Sequence, residues 1–134
     1  MTFSDPDGDG GNEPLITADT LSRDSTYLVE IEVLNESANP VVDITEEILE
    51  ESTVHQFFFQ ESGANVTVAY NDLDANALPI GLNTIWVIGT ASNGQVIVTL
   101  WHEPDKTAPG VSSGDITNAG GDADMEVTCP LVIE

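Results

Sequence analysis

The chain has 134 residues, enough for one domain that buries roughly two thirds of the surface exposed by its unfolded form. Its 24 Asp and Glu residues oppose only 2 Lys and Arg, and the resulting formal charge of -22 argues against DNA, RNA or an anionic membrane as a direct partner. Because 40% of the residues are apolar, the acidity indicates the surface of a folded protein that attracts cations, not a disordered acidic tail.

The first segment with a chemical signal is the acidic turn at positions 5–11, DPDGDGG. Asp5, Asp7 and Asp9 alternate and a glycine follows, as in the first half of an EF-hand loop. The second half of that template fails, because its twelfth position falls on Ile16 where a bidentate Glu belongs. The turn therefore predicts either a Ca²⁺ site completed by acidic residues far along the chain, or a plain tight turn in which Asp caps its own backbone.

Alternating side chains predict the next elements. Residues 27–34 alternate along a long strand with two apolar faces. Asp43 then begins a capping box, which predicts a short helix whose glutamates lack basic partners and which therefore depends on packing against the sheet. Residues 54–60 and 65–70 alternate again around a Ser-Gly pair, which predicts a hairpin.

The turn at positions 71–76 repeats the spacing of oxygen ligands. Asp72, Asp74 and Asn76 predict a second Ca²⁺ loop. Ala77 stands where the usual pattern has glycine, so a plain turn is the alternative.

An Asn-Gly pair at positions 93–94 separates the predicted strands 83–91 and 95–103, and it is the strongest short hairpin signal because both residues tolerate positive φ. A two-residue loop there would place Trp86 opposite Trp101 on one face. Paired indoles can stack a sugar ring or bury a partner's side chain, so these two residues are the predicted ligand or partner surface. The alternative is that the helix or a missing strand covers them.

His55 and His102 lie on separate predicted strands and would suit a transition metal, with Glu103 as a third ligand, if the fold brings them together. Ordinary structural histidines are the alternative. The sequence shows no nucleophile beside a base and no phosphate-binding glycine loop, so we expect a protein that is not an enzyme.

The residues after His102 complete the fold prediction. Positions 104–124 form a long loop, and positions 125–133 form a last strand in which Pro130 indicates an edge or a bulge. Seven or eight short strands, one short helix and no βαβ rhythm predict an all-β, immunoglobulin-like antiparallel β-sandwich over residues 1–134.

Five segments of the chain carry a family resemblance: 5–12 (DPDGDGGN), 43–48 (DITEEI), 55–59 (HQFFF), 102–106 (HEPDK) and 114–121 (GDITNAGG). Together they resemble small exported lipoproteins of Bacteroidota, often labelled type 1 periplasmic binding fold, over most of the chain. The resemblance implies a lipid-anchored envelope protein that acts with an outer-membrane receptor of the TonB-dependent kind. The fold in the label conflicts with the residues, since it requires alternating strands and helices over a far longer chain.

Residues 1–4 have the pattern of the last residues of a strand, with a start methionine placed on it. We therefore expect an export signal or lipid anchor ahead of this segment in the native protein. The leading functional hypothesis is a non-catalytic binding or accessory module at the outer membrane or cell surface, with a protein partner or receptor. The alternative is a structural adhesin or filament subunit whose chains exchange strands.

Overall fold

A computed structural model describes residues 1–6 and 12–134 of the chain. In this part of the chain the backbone forms ten strands, one α-helix and three single-turn 3₁₀ helices. The strands are β1 (Thr2–Ser4), β2 (Leu15–Thr17), β3 (Thr26–Glu30), β4 (Leu34–Asn35), β5 (Val42–Asp43), β6 (His55–Ser62), β7 (Val66–Tyr70), β8 (Asn83–Ile88), β9 (Ser92–His102) and β10 (Asp122–Ile133). The helix α1 spans Ile44–Glu50, and the 3₁₀ helices span Ser52–Val54, Val111–Ser113 and Ile116–Asn118.

Two antiparallel three-stranded sheets form the body of the protein, one in the order β3-β8-β7 and the other in the order β10-β9-β6. If β3 is taken as strand B of an immunoglobulin domain, these orders are B-E-D and G-F-C, which are the strand neighbours of that fold. Leu21 adds a parallel bridge to Ile133 at the edge of β10. The prediction of an immunoglobulin-like β-sandwich is confirmed, and the strand count exceeds seven or eight because two short pairs, β1-β2 and β4-β5, are added.

The core lies between the two sheets because alternate residues of each strand point inward. β6 contributes Phe57 and Phe59, β8 contributes Trp86, and β9 contributes Leu100. The helix joins the same core through Ile48, which is buried. α1 begins where predicted, since the Asp43 side chain accepts a hydrogen bond from the Thr45 amide.

Both hairpins predicted from the sequence are wrong. β6 pairs with β9 and β7 pairs with β8, so residues 54–70 cross from one sheet to the other. β8 and β9 likewise belong to different sheets, and positions 93–94 continue β9 as extended strand. An immunoglobulin topology requires these crossings, and local turn chemistry does not reveal them.

The segment between β9 and β10 folds back over the outer face of the β10-β9-β6 sheet. Val111 and Ala119 of this segment are fully buried against Phe58 of β6, and Trp101 of β9 packs at the border of the cluster. The predicted long loop therefore forms a second, smaller hydrophobic core.

Candidate functional site

The outer face of the β3-β8-β7 sheet exposes a group of aliphatic side chains. In the register of the sheet, Leu28 lies beside Ile85, which lies beside Ala69, and Val87 occupies the neighbouring row. Leu28 is 64% exposed and Val87 is 50% exposed, although both lie within sheet strands. We call Leu28, Ala69, Ile85 and Val87 the aliphatic face.

The aliphatic face follows from strands that are apolar on both sides. In β3, Tyr27 and Val29 pack against the core, so Leu28 must point to the opposite face of the sheet. An open depression of about 440 Å³ borders this face, where Thr67 and Gly89 are among the lining residues with Val87. Leu28 and Val87 are the exposed large side chains of this face, and because they adjoin each other and a depression they form a candidate interaction surface.

The predicted platform of paired indoles does not form. Trp86 lies in the sandwich core, 4% exposed, with its Nε1 donating to Thr84 Oγ1 at 3.0 Å. Trp101 lies on the outer face of the other sheet, where it contacts Phe58 edge to face and donates through Nε1 to the Gly120 carbonyl. The two rings are separated because the hairpin that would pair them is absent.

The acidic residues of the second predicted Ca²⁺ loop are engaged with the protein itself. Asp72 accepts the amides of Gly81 and Asn83 through its two carboxylate oxygens, at 2.7 and 2.8 Å. Asp74 Oδ1 accepts the amides of Asn76 and Leu78 at 2.8 and 3.0 Å. These hydrogen bonds shape the connection between β7 and β8, which is the role expected of a plain turn.

The first predicted Ca²⁺ loop lies mostly outside the described residues. Asp7 and Asp9 fall in the undescribed stretch 7–11, and Asp5 precedes it. The strands on either side of this stretch, β1 and β2, pair with each other. The Ca²⁺ site at Asp5, Asp7 and Asp9 stays a prediction.

Asp74 also forms a buried ion pair with Lys106. The Lys106 ammonium donates to Asp74 Oδ2 at 2.9 Å and to the carbonyls of Ser52 and Pro79 at 2.6 and 2.9 Å. Burial lowers the pKa of Lys106, opposed by the attraction of Asp74. Burial alone would raise the pKa of Asp74, but hydrogen bonds from Lys106 and from two backbone amides hold it below its ordinary value. The pair joins three separate segments of the chain.

The structure brings His55 and His102 together at one end of the sandwich, as the sequence hypothesis requires. They face each other in register where β6 begins and β9 ends, and their rings stack with centroids 4.9 Å apart. The third member is Asp124 of β10, not Glu103. The pairing of β10 with β9 shifts between Ala123 and Met125, so Asp124 is the extra residue of a β-bulge.

The bulge brings the Asp124 carboxylate within 4 Å of one nitrogen of each imidazole. Asp124 Oδ2 lies 3.5 Å from His55 Nε2, and Asp124 Oδ1 lies 3.9 Å from His102 Nδ1. On the far side of its ring, His55 Nδ1 lies 3.2 Å from the Glu51 carbonyl oxygen. His55 is buried, whereas His102 and Asp124 are both more than 40% exposed, so the group opens to solvent on one side.

Sequence reasoning missed Asp124, the Lys106 pair and the aliphatic face. The only signal for Lys106 was its rarity, since the chain has two basic side chains in all. The signal for Leu28 was present in the two-faced apolar pattern of its strand. Asp124 carried no signal, because a bulge depends on the pairing of two strands.

Within the described residues, no helix has the length and apolar character needed to cross a membrane. The chain matches no protein-family model, no curated protein and no solved structure.

Proposed function

We propose that this protein is a non-catalytic binding module of the bacterial envelope that recognises a protein partner through its aliphatic face. The observation that carries the proposal is the exposure of Leu28 and Val87 at adjacent positions of one sheet. Full burial of such a side chain contributes roughly 1.5–3 kcal/mol, and a partner that covers the exposed half to two thirds of Leu28 and Val87 would recover about that fraction for each.

The chemistry of the chain selects the kind of partner. A second copy of the chain would bring two molecules of charge -22 together, and that repulsion opposes self-association. Glu30 continues β3 beyond Leu28 and places a carboxylate at the border of the aliphatic face. The complementary surface is a protein epitope with an aliphatic centre and a rim of Lys and Arg.

The envelope location rests on the five sequence segments that resemble exported lipoproteins of Bacteroidota. In that setting the partner is an outer-membrane receptor of the TonB-dependent kind, and the module acts as its accessory subunit.

Site-specific photo-crosslinking in the producing organism tests the proposal. A benzophenone amino acid at position 87 is expected to give one discrete adduct in the envelope fraction. The same group at Val132, an exposed residue of β10 in the other sheet, is the matched control and is expected to give none. Substitution L28D in the position-87 protein is expected to abolish the adduct while leaving the melting temperature nearly unchanged, because Leu28 is exposed.

The partner identified from the adduct is then purified and its affinity measured. L28D is expected to weaken binding at least about 10-fold, and added salt is expected to weaken it further because the rim is ionic. Equal adducts from positions 87 and 132, or an affinity unaffected by L28D, would refute the aliphatic face as the binding surface. Recovery of the protein only from the cytoplasm would refute the envelope assignment.

A filament or adhesin subunit is the second candidate, and an open sheet edge favours it. Among the described residues β3 pairs only with β8, so its other edge can accept a strand from another chain. Size-exclusion chromatography with light scattering distinguishes the two candidates. A ladder of species that grows with protein concentration indicates the filament, and a monomer at all concentrations indicates the accessory module.

A further inference from the structure

The geometry points to a transition-metal site formed by His55, His102 and Asp124, and we propose that it binds one divalent transition-metal ion such as Zn²⁺. In the described part of the chain, these residues form the group of three potential ligands whose donor atoms all lie within 4.8 Å of one another. This site is separate from the aliphatic face and does not depend on the proposed function.

The distances are close to those of an occupied site. Four ligands at Zn–N and Zn–O bond lengths of about 2.0–2.1 Å in a tetrahedron are separated by about 3.3 Å. Asp124 Oδ2 lies 3.5 Å from His55 Nε2, and Asp124 Oδ1 lies 3.9 Å from His102 Nδ1. Because the two rings stack, one ion cannot lie in both ring planes until His102 turns out of the stack. The exposed His102 and Asp124 side chains have room to turn toward the ion by a change of rotamer, while the buried His55 stays fixed.

The surroundings of His55 are those of a metal ligand. When His55 Nδ1 donates its hydrogen to the Glu51 carbonyl oxygen, the lone pair of Nε2 faces the Asp124 carboxylate. Two acceptors then face each other, and a metal ion between them would satisfy both. A backbone carbonyl on the second imidazole nitrogen is the usual support of a ligating histidine, because it fixes the tautomer and the ring orientation.

The charges facing the site also favour a divalent cation. The Glu51 carboxylate lies 4.0 Å from His55 Nδ1, so a second negative group stands beside the three ligands. Two imidazole nitrogens and one carboxylate oxygen suit Zn²⁺, Ni²⁺ or Cu²⁺, whereas Ca²⁺ takes oxygen ligands only. Three protein ligands leave a fourth position on the solvent side, where His102 and Asp124 are exposed.

Calorimetric titration of the tag-free protein with ZnCl₂, after removal of trace metal, measures the site. We expect one ion per chain, with affinity lowered at least about 10-fold by H102A and by D124N. D122N is the matched control, because Asp122 is an exposed carboxylate two residues away on the same strand that is not a ligand. It is expected to change the affinity less than about 3-fold. H55A is avoided because His55 is buried.

The chain has only two histidines, so NMR of the imidazole protons gives an independent readout. One equivalent of Zn²⁺ is expected to shift the resonances of both rings, and a tenfold excess of Ca²⁺ is expected not to reverse the shift. The proposal is overturned if only one histidine responds, if Ca²⁺ displaces Zn²⁺, or if D122N weakens binding as much as D124N. It is also overturned if none of the variants changes the affinity.

Discussion

The buried ion pair of Lys106 and Asp74 allows the sharpest test of the fold. Lys106 is 4% exposed, and its ammonium satisfies three acceptors: the carbonyl of Ser52, and Asp74 and Pro79 in the connection between β7 and β8. Methionine has nearly the length and the aliphatic stem of lysine but donates no hydrogen bonds. The substitution K106M therefore keeps most of the packing but removes the ammonium that donates to Asp74 Oδ2 and to the carbonyls of Ser52 and Pro79.

Removal of one partner from a buried ion pair costs about 3–5 kcal/mol, because the other charge stays buried without compensation. For 134 residues, an unfolding entropy of about 2.1 cal/mol/K per residue amounts to about 0.28 kcal/mol/K. K106M is therefore expected to lower the melting temperature by about 10–18 °C. Such a loss is a large fraction of the stability of a domain of this size, typically about 5–15 kcal/mol.

The free energy of unfolding is measured by urea denaturation of the natural protein, K106M, D74N and the double variant. The two changes are expected to be non-additive, with the double variant about 1–3 kcal/mol more stable than the sum of the single effects predicts. R23M is the control, since it removes the only other basic side chain at an exposed position and is expected to cost less than about 0.5 kcal/mol. A cost of K106M below about 1 kcal/mol, or equal to that of R23M, would refute the structural role of the pair.

Three further predictions follow from single contacts. The folded protein holds the pKa of Asp74 below its ordinary value, so the ionised carboxylate stabilises the fold. The stability advantage of the natural protein over D74N is therefore expected to be full above about pH 5 and to shrink as the pH falls below about 4. Urea titrations at each pH measure it. W101F removes the hydrogen bond from the indole to the Gly120 carbonyl, and it is expected to lower the free energy of unfolding by about 1 kcal/mol. Amide hydrogen exchange in residues 104–121 is expected to increase, and unchanged exchange would contradict the anchoring role of Trp101. G94A is expected to lower the free energy of unfolding, measured by chemical denaturation, by about 1–3 kcal/mol, because its Cβ would clash with Ala64 N and Ser62 O. A change near zero would contradict the close approach.

The strands and their inward faces were predictable because alternation is a local property. Residues 54–60 were expected to alternate, and β6 indeed sends Phe57 and Phe59 into the core and Phe58 to the outer face. The pairing of the strands was not predictable in the same way. Two consecutive alternating stretches have the same pattern whether they form a hairpin or cross between the two sheets of a sandwich. Both pairs of stretches predicted to be hairpins cross between the sheets in this chain.

Two of the three residues of the candidate metal site could be predicted from the sequence, and the third could not because its position depends on strand pairing. Imidazoles are rare enough here that His55 and His102 stand out by chemistry alone. The third ligand required knowledge of pairing, since Asp124 turns toward them only because β10 carries one residue more than β9 at that point. Among 24 acidic residues, sequence proximity favoured Glu103, which instead has a positive φ and donates its amide to the Val54 carbonyl.

Gly94 shows why one local signal can have two physical causes. An Asn-Gly pair predicts a tight turn because glycine tolerates positive φ, but Gly94 is not among the glycines with positive φ in this structure. The residue is glycine because the turn after β6 passes directly over it, with Ser62 and Ala64 backbone atoms where a Cβ would be. A glycine inside a strand pattern therefore indicates either a turn or the close approach of another backbone. Here the close approach lies where the end of β6 pairs with β9, and that pairing replaces the predicted hairpin that would have placed Trp86 opposite Trp101.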